Sequence, residues 1–89
     1  MEHRGEVRGQ LFGVLTRLGD RLPSHQATFI LELIDVSEWG TALEQIADVL
    51  SEDEVVLRDD ERNDLLALNR MLGMGERVPA ALSLCPQIA

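Results

Sequence analysis

The sequence predicts an all-α fold: a compact bundle of four short helices followed by an irregular C-terminal tail. Three observations carry that prediction. Apolar residues recur at helical spacing in four successive segments. The connections between those segments are as short as helix–helix turns usually are. The interior has to be built from Leu, Val, Ile and Ala, because Phe12, Phe29 and Trp39 are the only aromatics. An aromatic-poor, Leu-rich interior suits packed helices better than a small β-barrel. At 89 residues the chain makes one domain, burying roughly 60–65% of the surface its unfolded form exposes. Residues 1–74 are expected to form the helical domain and residues 75–89 a tail, docked or frayed.

The first segment runs from about Glu6 to Leu22, with Val7, Leu11, Val14, Leu15, Leu18 and Leu22 on one face. Pro23 ends it, and Ser24 is placed to cap the next helix. The second segment, about His25 to Val36, carries a stripe of Ala27, Ile30, Leu31 and Ile34, widened by Phe29, Leu33 and Val36. So wide an apolar arc predicts a central helix packed on two sides. The third, about Glu38 to Ser51, sets Ala42, Leu43, Ile46, Ala47 and Leu50 against Glu44, Gln45, Asp48 and Glu52. Either Ser37 caps it, or Thr41 and Glu44 form a capping box that leaves Trp39-Gly40 in the turn. Val55-Val56-Leu57 is expected to dock as an extended link. The fourth helix, about Asp59 to Leu72, buries Leu65, Leu68 and Leu72, and Gly73 supplies its C-terminal cap. Within the tail, Ala80-Ala81-Leu82 has the makings of one helical turn.

Charge narrows the function. Sixteen carboxylates face eight arginines, with no lysine, for a formal net charge of -8. Nucleic acids and anionic membrane surfaces select basic proteins, so neither is expected as a partner. The N-terminus lacks an apolar signal core and no apolar run approaches a membrane span, so a cytoplasmic protein is expected. Cys85 stands alone, which excludes a disulfide within the chain. His3 and His25 are read as solvated, and neither has a Ser or Cys placed as a nucleophilic partner. Too few Cys and His are present for zinc, and Glu52-Asp53-Glu54 and Asp59-Asp60-Glu61 lack the alternation of a calcium loop. The reading is therefore of a binding protein, not an enzyme, with no metal and no cofactor.

The acid is concentrated. Twelve carboxylates and two arginines lie between Glu32 and Asp64. Around helix four the spacing pairs Arg58 with Glu61 and Asp59 with Arg62, and a helix N-terminus favours negative charge. Helix three has no such relief. Glu44, Asp48 and Glu52 repeat at i,i+4 with no arginine at helical spacing, and each like-charge pair costs about 0.2–0.5 kcal/mol. Asp48, Glu52, Asp53 and Glu54 also crowd the end of the helix that disfavours anions. An external cation is the simplest compensation. Glu38, Trp39, Glu44, Asp48, Glu52, Asp53 and Glu54 are accordingly the candidate partner-binding residues, with Glu38 and Trp39 at the edge. Trp39 has a second reading as a core residue.

Residues 22–74, from LPSHQATFILELIDVSEWG to LLALNRMLGM, resemble the MafI-type immunity proteins of bacterial polymorphic toxin systems. The carrying pieces are Ser37-Glu38-Trp39-Gly40, similar to a Gly-Glu-aromatic-Gly turn, then Ala42-Leu43-Glu44, Leu50, the acidic run and the closing Leu-Gly-Met. Ser37 departs from the pattern where glycine is usual, and Arg58 stands where a Ser-like cap is usual. The resemblance implies a protein that binds the C-terminal domain of a cognate toxin, often a nuclease. A nuclease holds phosphate in a basic cleft, which an acidic inhibitor can cover and approach rapidly. The alternative is a helical adaptor or homo-oligomeric module using Phe12, Leu66 and the Val55–Leu57 link as its apolar surface. In the first case the free protein is expected to be a monomer or a weak homodimer.

Overall fold

The computed structural model describes residues 4–87. Five α-helices follow one another: α1 (Arg4–Leu18), α2 (Ser24–Asp35), α3 (Trp39–Glu52), α4 (Asp59–Met71) and α5 (Arg77–Leu82). A single 3₁₀ turn, Gly19–Arg21, extends α1. The all-α architecture follows from the four apolar periods, and the fifth helix stands where an irregular tail was expected. Among the described residues the sole strand-like pairing is an isolated parallel bridge between Leu57 and Gln87. Among the described residues no helix is long and apolar enough to cross a membrane.

α3 is the centre of the molecule. Ala42, Leu43, Ile46, Ala47, Val49 and Leu50 are all buried, and the helix packs most extensively on α5 and α2. The second helix was expected to hold that central position, and it does not. Only Ile30 and Ile34 of α2 are buried, while Phe29, Leu31 and Val36 are 45%, 43% and 68% exposed. The reason is spatial: the apolar arc of α3 is covered by α5, α2, α1 and α4, whereas α2 lies against one side of α3 with half of its own apolar arc uncovered.

α1 contributes Val7, Leu11, Val14 and Leu18 to the core, the stripe its spacing predicts. The link docks through Leu57, which is fully buried and donates its backbone N–H to the Pro86 carbonyl at 2.9 Å. Val78, Leu82 and Cys85 complete the same core cluster, so residues beyond 74 are part of the packed interior. Burial pushes the Cys85 thiol up, which leaves it a poor nucleophile for bridging to another chain. Phe12 and Leu66, considered for an adaptor surface, are half-buried against the core, and Val56 of the link is exposed. His25 is exposed in the first turn of α2, whereas His3 lies outside the described residues.

Three helices end in the same way. At the ends of α2, α3 and α4, residues 37, 54 and 73 take left-handed φ values of 63°, 48° and 65°. In each case the next residue donates back to the carbonyl five positions earlier: Glu38 to Leu33, Val55 to Leu50, Met74 to Asn69. The left-handed residue itself donates three positions back, to Ile34, Ser51 and Arg70. These are Schellman caps, which satisfy carbonyls that a helix end would otherwise leave open. Glycine suits the left-handed position because it has no Cβ. Gly73 obeys that rule; Ser37 and Glu54 do not.

The helix starts correct several expectations. Ser24 is the first residue of α2, not its cap, and the preceding Pro23 carbonyl accepts from Gln26 and Ala27. Ser37 cannot cap α3, because it closes α2 and Glu38 precedes the helix. Trp39 and Gly40 are helical, so the Thr41–Glu44 capping box does not form. At α4, Arg58 offers no side-chain cap; the Glu61 carboxylate accepts the Arg58 N–H at 2.9 Å and Asp60 accepts the Glu61 N–H at 2.9 Å.

Candidate partner-binding surface

α1 and α4 settle most of the charge between them. Arg17 reaches Asp60 at 2.7 Å and Asp64 at 2.5 Å. Arg21 grips both oxygens of Glu61, at 2.8 Å on one of them. The Arg21 hydrogen bonds overcome the cost of burial and hold the Glu61 carboxyl down at about 2. The i,i+3 pairs expected within α4 are not made. Glu61 is turned inward to Arg21, and Arg62 donates to the Leu82 and Cys85 carbonyls, closing the end of α5. Asp59 is instead reached by Gln87. Beside the Arg17–Asp64 pair lies a groove of about 390 Å³ lined by Gln10, Gly13, Val14, Ala67 and that pair.

The α3 acids divide into two groups. Arg77 of α5 lies 2.6 Å from Asp48 and 3.7 Å from Glu44. The Asp48 contact raises the Arg77 guanidinium above its ordinary value, and Glu44 adds to the effect. Glu44 and Asp48 are therefore answered from within the molecule, by a residue too distant in sequence for any helical spacing to reveal. Glu52, Asp53 and Glu54 have no such answer among the described residues: all three are exposed and without an ion pair. The Schellman cap fixes them in one turn at the anion-disfavouring end of α3.

Trp39 is half-buried against the core, and its indole N–H donates to the Ile34 carbonyl at 3.2 Å. It is anchored across the α2–α3 turn. Glu38, immediately before it, is exposed and has no ion pair among the described residues. Of the seven candidate residues, the structure gathers Glu52, Asp53 and Glu54 at one end of α3 and places Glu38 and Trp39 at the other.

Sequence reasoning missed the apolar side chains beside them. Phe29, Leu33 and Val36 fall at i, i+4 and i+7, one stripe of α2. The signal was the excess width of the α2 apolar arc, read there as a sign of central packing. Compared with protein-family models, curated proteins and solved structures, the chain finds no match.

Proposed function

We propose that this chain is an immunity protein that binds a cognate toxin domain, a nuclease with a basic cleft, in the cytoplasm of the cell that makes it. The observation that supports this reading is the Glu52-Asp53-Glu54 turn. Three uncompensated carboxylates sit where the helix dipole opposes them. One of them, Glu54, occupies a left-handed backbone position at φ 48° that glycine would hold more easily. Two independent costs at one exposed turn are explained if a partner's Lys and Arg complete it. The resemblance to MafI-type proteins points to the same class of partner.

Co-purification with the adjacent toxin domain, followed by RNA and DNA degradation assays, tests the reading directly. A stoichiometric complex that silences degradation is the expected result; no complex would reject it. The variant Glu54→Gly separates the two roles of the turn. It should stabilise the free protein by about 0.5–1 kcal/mol and weaken the complex. A variant that gains stability and binds as before would remove Glu54 from the interface.

A further inference from the structure

On the apolar stripe of α2, Phe29 and Val36 are exposed and Leu33 between them is half-buried against the core. α2 and α3 are joined by the three-residue turn 36–38 and pack on each other, with residues near the start of α2 meeting the middle of α3. Gln45 donates to Gln26 at 2.8 Å, and the Glu38 N–H to the Leu33 carbonyl at 2.8 Å, which fixes the register. In that register Phe29 lies level with Ala42, and Leu33 with Glu38. Glu52 follows about 15 Å further along α3, ten residues at the helical rise. Glu32 flanks the stripe on its solvent side; like Glu38 it is exposed and has no ion pair among the described residues. Asp35, on another flank, is already held by Arg8 at 3.2 Å.

We infer that the Phe29–Leu33–Val36 stripe is a docking surface for a basic amphipathic segment of a protein partner. Its apolar side chains would cover the stripe and its cations would meet Glu32 and Glu38. Charge complementarity selects this occupant. A second copy of the chain would bring the same carboxylates against Glu32 and Glu38, at a net charge of -8 on each copy. A purely cationic segment would leave Phe29 and Val36 in water. Apolar anchors ringed by charge are the arrangement that gives interfaces their strongest contacts. The inference rests on the partner being cationic, as proposed above, and adds an apolar anchor that the acidic turn lacks.

The test uses the full chain and two synthetic helical peptides. One has Leu and Lys in amphipathic spacing; the other keeps every Lys and replaces each Leu by Ser. Calorimetry measures affinity and isotope-edited NMR locates the contact. The Leu–Lys peptide is expected to perturb Phe29, Leu33 and Val36, and the double variant Phe29→Ser, Val36→Ser to weaken it about tenfold or more. Both positions are exposed, so the fold should survive, which circular dichroism verifies. Glu32→Lys with Glu38→Lys should weaken the same peptide. Equal binding of the two peptides at Glu52–Glu54 overturns the stripe while leaving the cationic-partner reading standing. Binding of neither peptide overturns both, and a homodimer abolished by Phe29→Ser overturns the choice of occupant.

Discussion

At position 61 a carboxylate lies inside the fold, 5% exposed, against an arginine that is only partly covered. Its ordinary value of 4.5 falls to about 2 because Arg21 favours the ionised form. The unfolded chain therefore takes up the proton first as the solution is acidified. The contribution is complete above pH 4.5 and is lost as the pH descends to about 2. It amounts to on the order of 2 kcal/mol once screening through the exposed part of Arg21 is allowed for. Urea denaturation should show Glu61→Gln costing about that much at neutral pH and almost nothing near the lower limit. An equal loss at both pH values would mean that the carboxylate contributes by shape alone. A second residue is predicted to act in the opposite sense. Ser37 holds a φ of 63° with the Cβ that glycine lacks, so Ser37→Gly should raise stability by about 0.5–1 kcal/mol. Nothing in the composition marks Ser37 as left-handed, because a serine between two helices is as compatible with capping the second as with closing the first.

Among the elements, α5 departs most from its sequence. It spans six residues with Pro79 inside it, too short for a period to show. Proline is tolerated because it falls in the first turn, where a helix has no partner for the missing N–H. Yet Val78 and Leu82 are at most 1% exposed, and Leu82→Ala should cost about 2–4 kcal/mol, a large part of the stability of so small a domain. Arg77→Ala should cost under about 1 kcal/mol, since that side chain is largely exposed. A destabilisation by Arg77→Ala as large as that of Leu82→Ala would show that the ion pairs, not the apolar contacts, hold α5 in place. α2 was misread for a related reason. A helical wheel counts apolar positions but does not say how many neighbours will arrive to cover them. The boundaries of α3 and α4 were legible because polar and apolar arcs alternate cleanly there. The answering of Glu44 and Asp48 by Arg77 was not, because it joins residues on separate helices.

Over the whole molecule, charge is arranged by helix. Arg17 and Arg21 meet the acids of α4, Arg8 meets Asp35 of α2, and Arg77 meets the middle of α3. Among the described residues, the carboxylates without an ion pair include Asp20 and Glu76, and a larger group, Glu32, Glu38 and Glu52–Glu54, that lies along α2 and α3. The radius of gyration is 12.0 Å, comparable with the Debye length of about 8–10 Å at moderate salt. The residual field of a net charge of -8 thus reaches beyond the surface at low salt. Association with a basic partner should slow by about tenfold or more as salt is raised to about 1 M, while dissociation changes far less. Stopped-flow mixing at several salt concentrations checks this, and an association rate indifferent to salt would remove steering from the mechanism.

The anchoring of Trp39 has an optical consequence. The chain contains one tryptophan and no tyrosine, so its ultraviolet emission comes almost entirely from a single indole whose N–H is tied to the Ile34 carbonyl. That ring sits beside the α2–α3 turn, where the exposed stripe and Glu38 meet. Opening of the turn or the seating of a partner upon it would change the colour and intensity of that emission, and so would release of Arg8 of α1, which donates to the same Ile34 carbonyl. The protein therefore carries its own unlabelled reporter at one end of the face that matters most.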